Sequence, residues 1–259
     1  MAGELSLIFL VVIIYISVVF LVALRLKRFD IVDIAWGGAF IITAITSFTL
    51  GHAQGTLQLL VTGLVIIWGV RLAYSIGQRV ARSAAEDPRY VELRQKWKGN
   101  MVLNTYVRIF VVQGILATLV SSSVIIINIS DVTTLSWLAG AGALIWAVGF
   151  LFESVGDWQL KNHLLNPATK GQLMTTGLWR YSRHPNYFGE AAQWWGIWLI
   201  ALSVPFGWLG IVSPLVITIL LLFISGVPLT EKRFEGRPGW QQYKQRTSVF
   251  IPLPPRKRS

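Results

Sequence analysis

Apolar residues in this chain come in blocks long enough to cross a membrane, broken by short polar links. A hydrocarbon layer about 30 Å thick needs roughly 20 apolar residues in a helix. Blocks of that kind fall at 5–24, 31–50, 57–77, 105–128, 135–155, 187–203 and 208–228. The pattern predicts an all-α integral membrane protein of about seven transmembrane helices. The sixth block is short and carries Glu190, so its lower end is expected to face a cavity rather than lipid. No internal repeat or separable soluble segment is visible, and residues 1–259 are expected to form a single membrane-embedded domain.

Basic residues give the blocks a direction. The links 51–56, 129–134 and 204–207 contain no Lys or Arg, whereas the opposite side holds Arg25, Lys27, Arg28, the loops 78–104 and 156–186, and the tail 229–259. The rule that basic residues stay on the cytoplasmic side places the N-terminus outside and the C-terminus inside. The net charge of +11 is then explained by topology and contact with membrane lipid, not by nucleic acid. The first apolar run is too long for a cleavable signal and is followed by basic residues. No obligate protein partner is evident.

Composition narrows the chemistry. The 259 residues are 54% hydrophobic and 14% charged, with 12 Trp and no Cys. The absence of Cys removes disulfides, iron–sulfur clusters and thiol nucleophiles. His52, His163 and His184 are the only histidines, and no two stand at the one-turn spacing that a metal or b-type haem requires. No metal site is expected. The glycines at 140–149 follow no strand, so they do not make a dinucleotide fingerprint and are read as close helix packing in lipid.

What remains is a basic, aromatic inner face with a few carboxylates. Arg71 lies about two turns inside its helix, too deep for easy snorkelling, and is expected to line a pocket. Arg108 is as well explained by snorkelling to headgroups. Asp33 opens the second block one turn before Trp36, and it either caps its helix or lines a site. Arg79, Arg89, Arg180 and Arg183 have the forked donors that bind phosphates. The neighbouring Trp and Tyr rings could stack on a planar ligand.

The run GLWRYSRHPNYFGE at 177–190 resembles the C-terminal signature of the steroid 5α-reductase (3-oxo-5α-steroid 4-dehydrogenase) family, in its bacterial branch of uncharacterised-domain type. The segments DIAW at 33–36, EDPRY at 86–90, and a tail closing on Tyr243 and IPL at 251–253 resemble that branch too. The resemblance implies a bacterial inner-membrane reductase that takes hydride from NADPH, with its site open to the cytoplasm. Its substrate would be a steroid-like enone entering from the bilayer. The family positions for NADPH fall on Gln78, Arg79, Asp157, Asn186, Glu190 and Tyr243, with Tyr181, Arg183 and His184 inside the motif. The Glu and Tyr that animal members place near the substrate have their nearest counterparts in Asp33 and Trp68, and an indole cannot donate a phenolic proton. Methyltransferases of the isoprenylcysteine and phospholipid type carry a similar RHPxYxG stretch and use S-adenosylmethionine, which makes them the alternative.

The chemistry implied is hydride addition to the β-carbon of a 3-oxo-4-ene, with a donor on the developing enolate oxygen. A carboxylic acid kept protonated by an apolar pocket can be that donor. Asp33 beside Trp36 is the expected one.

Overall fold

The computed structural model describes residues 2–83, 85–169 and 171–256. Ala84 and Lys170, in the two loops expected to face the cytoplasm, lie outside the described residues. Among the described residues the regular elements are all helices, and the one bridge between extended segments pairs Ser182 with Ser248. The helices are α1 (Ala2–Leu26), α2 (Ile31–Leu50), α3 (Thr56–Arg82), α4 (Pro88–Gln95), α5 (Met101–Thr105), α6 (Val112–Val120), α7 (Ser122–Asn128), α8 (Trp137–Leu165), α9 (Pro185–Ala201), α10 (Val212–Ile219), α11 (Val227–Lys232) and α12 (Trp240–Arg246).

Six helical stretches among the described residues are long and apolar enough to cross a membrane. They are Gly3–Leu26, Ile31–Leu50, Thr56–Arg82, Met101–Val120, Trp137–Leu165 and Gly207–Lys232. The sixth expected block is α9, which is helical but has only 17 residues, the lower limit for spanning. Two of the long stretches are interrupted by π-turns, at Tyr106–Val111 and Leu220–Ile224. α8 runs ten residues past its expected end, so Gly156 and Asp157 are helical, not loop. Its last turns carry Asp157, Gln159, Lys161 and His163, which end the apolar pattern without ending the helix.

Contacts divide the chain into two compact units, Met1–Ser136 with Ala201–Val212, and Trp137–Ile200 with Ser213–Ser259. In the first, α2 packs on α3 through glycines: a Cβ on Gly37 would stand 2.5 Å from the Gly69 carbonyl oxygen. The Phe40 and Trp68 rings meet edge to face 5.0 Å apart beside that contact. The far end of this packing is tied by Asn128, whose amide donates to the Ala44 carbonyl, Ser47 Oγ and Thr62 Oγ1 at 3.1, 2.9 and 3.1 Å. Gln58 Nε2 likewise donates to three backbone carbonyls. An unpaired amide in lipid costs several kcal/mol, so such bonds fix which helices meet.

In the second unit, α8 and α9 meet along a glycine seam. Gly142, Gly149 and Gly156 stand seven residues apart on α8, and Gly189 and Gly196 do so on α9, which keeps each set on one helical face. A Cβ on Gly189 would lie 2.4 Å from the Gly149 carbonyl oxygen and 2.5 Å from Glu153 N, and one on Gly196 would lie 2.5 Å from the Gly142 carbonyl oxygen. Only glycine permits that approach. Gly149→Ala and Gly189→Ala are expected to force the helices apart and cost about 1–3 kcal/mol each. The thermal midpoint in detergent should fall by about 3–10 °C, while Gly140→Ala, which meets nothing within 4 Å, should leave it unchanged.

Candidate functional site

The expected site residues fall into two clusters, one in each unit. In the first, α4 is held against the start of α2 by four carboxylates and four arginines. Asp87 caps α4 by accepting from Arg89 N at 3.0 Å, and Pro88 at the first helical position suits the fixed backbone there. Glu86 takes a fork from Arg94 at 2.7 and 2.5 Å and also accepts from Phe29 N at 2.8 Å. The same guanidinium lies 4.4 Å over the Phe29 ring. Asp30 takes Arg28 at 2.8 and 3.2 Å and accepts from Asp87 N at 3.2 Å. Every acidic residue of the 30–33 and 86–87 segments therefore closes the same turn.

Asp33 is the innermost member. One of its carboxyl oxygens accepts a short hydrogen bond from the Tyr90 hydroxyl, and the other accepts from Arg89 Nη2 at 3.0 Å. Arg79 Nη2 stands 3.7 Å from it. The apolar pocket anticipated around a lone Asp33 is thus replaced by a phenol and two guanidinium groups. The Tyr90 ring is buried against Val32, Phe20 and Phe110. That burial, helped by the Asp33 charge, raises the phenol well above its ordinary range, so Tyr90 keeps its proton through neutral pH. Trp36 packs edge-on to Phe40 with centroids 5.0 Å apart, and Trp68 is fully buried behind it. Arg71 and Gln78 lie on the C-terminal half of α3, both half-buried. Arg108 lies 5.5 Å over the Trp97 ring.

The second cluster is the 177–190 motif itself. Gly177 has φ +61°, the left-handed conformation that favours glycine. The next residues bond back to α8, Leu178 N to Gln159 Oε1 at 3.0 Å and Trp179 Nε1 to the Gly156 carbonyl at 3.1 Å. Ser182 Oγ donates to the Phe250 carbonyl at 2.7 Å and accepts from His184 N at 3.1 Å. Arg183 is buried: its Nε donates to Glu231 at 2.8 Å, and its Nη1 donates to the Lys244 and Thr247 carbonyls at 3.0 and 2.6 Å. His184 Nε2 is 3.3 Å from the same Glu231 oxygen, and its ring stacks on Tyr187 at 5.3 Å. Burial lowers the His184 pKa against the pull of Glu231, so the imidazole is neutral at pH 7.

The tail is strapped onto this motif. Arg183 N donates to the Ser248 carbonyl at 2.8 Å, Leu253 N to the Tyr181 carbonyl at 3.0 Å, and the Tyr243 hydroxyl to the Trp179 carbonyl at 2.5 Å. Tyr243, expected to touch cofactor, thus anchors the strap, and the exposed Tyr181 side chain sits at its edge. Of the four arginines expected to bind phosphate, Arg89 and Arg183 are engaged by carboxylates, Arg79 is exposed but also stands by Asp33, and Arg180 presents an exposed side chain.

Where α8 meets α9, Asn186 Nδ2 donates to Asp157 Oδ1 at 3.0 Å. The Asn186 carbonyl oxygen is buried with no hydrogen-bond partner. Glu190 follows one turn along α9 and is buried. One turn back along α8 from Asp157, Glu153 accepts from Gln193 Nε2 at 2.6 Å. The sequence reading missed Tyr90, Glu231 and Gln193. Tyr90 stood inside EDPRY without a role, and Glu231 and Gln193 belong to no motif there.

Comparison with known proteins agrees with this architecture. The profile of the family described as "Protein of unknown function (DUF1295)" matches residues 19–247, and the chain belongs to that family, a steroid 5α-reductase-like family of membrane proteins. An uncharacterized protein of Schizosaccharomyces pombe (strain 972) is 26% identical over 79% of this chain. The match spans 66% of that protein's own length. No solved structure matches.

Arg183 holds strap and motif together, and its removal leaves Glu231 without its main partner. Arg183→Ala should cost about 3–5 kcal/mol, as breaking a buried pair does, and expose Lys244 and Arg246 to trypsin. Arg183→Lys can reach Glu231 but not both carbonyls, and should fall between the two.

Proposed function

We propose that the protein is an NADPH-dependent membrane reductase that adds hydride to the activated C=C bond of a 3-oxo-4-ene steroid or a similar lipid enone. The observation that carries this reading is the phenol of Tyr90 held on Asp33. A carbonyl that becomes an enolate needs a donor that is still protonated; Tyr90 keeps its single proton, given at rest to Asp33, and would turn it to the carbonyl oxygen of a bound substrate. The resemblance called for a carboxyl group and a phenol; Tyr90 supplies the phenol that Trp68 cannot. Asp33 and Arg89 hold the phenol oxygen in place, so the proton is what has to turn toward the substrate as charge develops.

The second cluster suits the cofactor's polar groups. The orphaned Asn186 oxygen can accept from a carboxamide N–H or a ribose hydroxyl, with Asp157 holding the side chain in place and Glu190 alongside. Arg180, beside this cluster, has the exposure that phosphate contact requires. When bound, NADPH would supply the hydride, and the α-carbon proton would come from water. The one-sided Lys and Arg distribution supports a site open to the cytoplasm, in a bacterial inner membrane.

Tyr90→Phe removes only the hydroxyl. It is expected to keep NADPH affinity within a few-fold and to lower turnover on progesterone by about 10²–10³, the usual cost of one oxyanion donor. Asp33→Asn, which leaves the phenol without its anionic partner, should lose turnover too. Normal turnover in Tyr90→Phe would remove the pair from the chemistry and leave it a loop clasp.

A further inference from the structure

α1 and α3 both pack on α2, and a groove of about 460 Å³ runs between them over α2. Its lining comes wholly from the first unit and includes Tyr15 and Val22 on α1, Ile31 and Gly38 on α2, and Val70 and Ala73 on α3. Val18, Val22 and Val70 are exposed, so the groove opens through side chains that an apolar spanning helix turns to lipid. Among the lining residues Tyr15 alone has a polar side chain. Its hydroxyl donates to the Ala35 carbonyl at 3.1 Å and rests over Gly38, where a Cβ would overlap it. With that proton given to the backbone, the groove offers no side-chain donor to a ketone. It is built for an apolar chain.

Charge is confined to one end. Tyr15, Val18, Val22 and Arg25 are spaced three and four apart, which lays them along one face of α1. Arg25 and Lys27 are both exposed. At the same end Arg28 donates to the Ser83 and Ala85 carbonyls at 3.1 and 3.3 Å, which ties the chain after α1 to the chain after α3. Ile31 and Ile41 mark the extent of the groove along α2, about 15 Å at the helical rise. That is one leaflet, half of a hydrocarbon layer about 30 Å thick.

An apolar slot one leaflet long, with two cations at its headgroup end, matches a single lipid in length and in charge. We propose that the groove is the seat of an anionic phospholipid, with one acyl chain lying between α1 and α3 and the phosphate meeting Arg25 and Lys27. Burial of the chain holds any phospholipid there, and the cations select a headgroup of net negative charge. Neither Asp33 nor Tyr90 lines the groove, so the seat does not depend on the reductase reading.

Native mass spectrometry of the full-length protein, delipidated in detergent, reads the seat when dioleoyl-phosphatidylglycerol and dioleoyl-phosphatidylcholine are titrated in parallel. Their chains are identical, so any difference belongs to the headgroup. One phosphatidylglycerol per chain should bind more tightly than phosphatidylcholine, by about fivefold for each of the two basic residues. Arg25→Gln and Lys27→Gln should each lose about that factor toward phosphatidylglycerol and leave phosphatidylcholine nearly unchanged. Val18→Trp and Val70→Trp fill the groove from exposed positions and should lose both lipids, whereas Leu144→Trp, exposed on α8, should lose neither. Equal affinity for the two lipids, or unchanged binding in both groove-filling variants, would overturn the proposal. So would oleic acid binding as tightly as phosphatidylglycerol, or progesterone displacing the lipid one for one. The Arg25 and Lys27 variants change only exposed side chains, so they decide the matter even where a tryptophan variant fails to fold.

Discussion

A carboxyl group carried to the edge of a hydrocarbon layer, or into it, costs several kcal/mol unless partners come with it. In this protein the carboxyl groups at such positions have partners supplied from distant parts of the chain. Asp33 is met by Tyr90 and Arg89, Asp157 by Asn186, Glu153 by Gln193, and Glu231 by Arg183 and His184. Those four pairings fix the inner loop, the α8–α9 register and the tail. They also leave polar atoms at defined points, and those points are where chemistry becomes available. In an apolar chain with 12 acidic residues, the placement of each carboxyl group is the main architectural decision.

The glycine seam depends on the same economy of contact. α9 is short and carries Glu190 and Gln193, so it cannot be held by lipid-facing apolar surface alone. Close backbone approach at Gly149–Gly189 and Gly142–Gly196 gives it van der Waals contact with α8 and brings Gln193 within reach of Glu153. The tail then covers the motif from the water side, with Phe250 edge-on to Phe188 at 5.9 Å. The motif is therefore stabilised on one side by helix packing and on the other by backbone hydrogen bonds to the tail.

Much of this was legible in the sequence, for definite reasons. The long helices follow from apolar length, and the close packing of Gly142 and Gly149 followed from small residues within an apolar block. The extension of α8 to Leu165 did not, because Asp157, Lys161 and His163 interrupt the apolar pattern while leaving helix propensity intact. The role of Tyr90 was hidden because its contact with Asp33 joins residues 57 apart, and nothing in EDPRY marks the tyrosine above its neighbours. Arg183 looked like a phosphate ligand from residue type alone. Only the fold shows that Glu231 and two carbonyls, from residues 48 to 64 positions away, already occupy its fork.

The motif at 177–190 suits either a hydride-transferring or a methyl-transferring membrane enzyme, and the two demand opposite electrostatics from the cofactor side. NADPH would present phosphates to an exposed arginine such as Arg180 and N–H or O–H donors to the Asn186 oxygen; S-adenosylmethionine presents a cationic sulfur and no phosphate. The most direct measurement is the thermal midpoint of the purified protein with NADPH, NADH and S-adenosylmethionine in parallel, in wild type and Asn186→Ala. A rise with NADPH, a smaller one with NADH and none with S-adenosylmethionine are expected. In Asn186→Ala, whose unliganded midpoint should itself fall because Asp157 loses the Asn186 amide, NADPH should produce no further rise. A rise with S-adenosylmethionine alone would contradict the reductase reading.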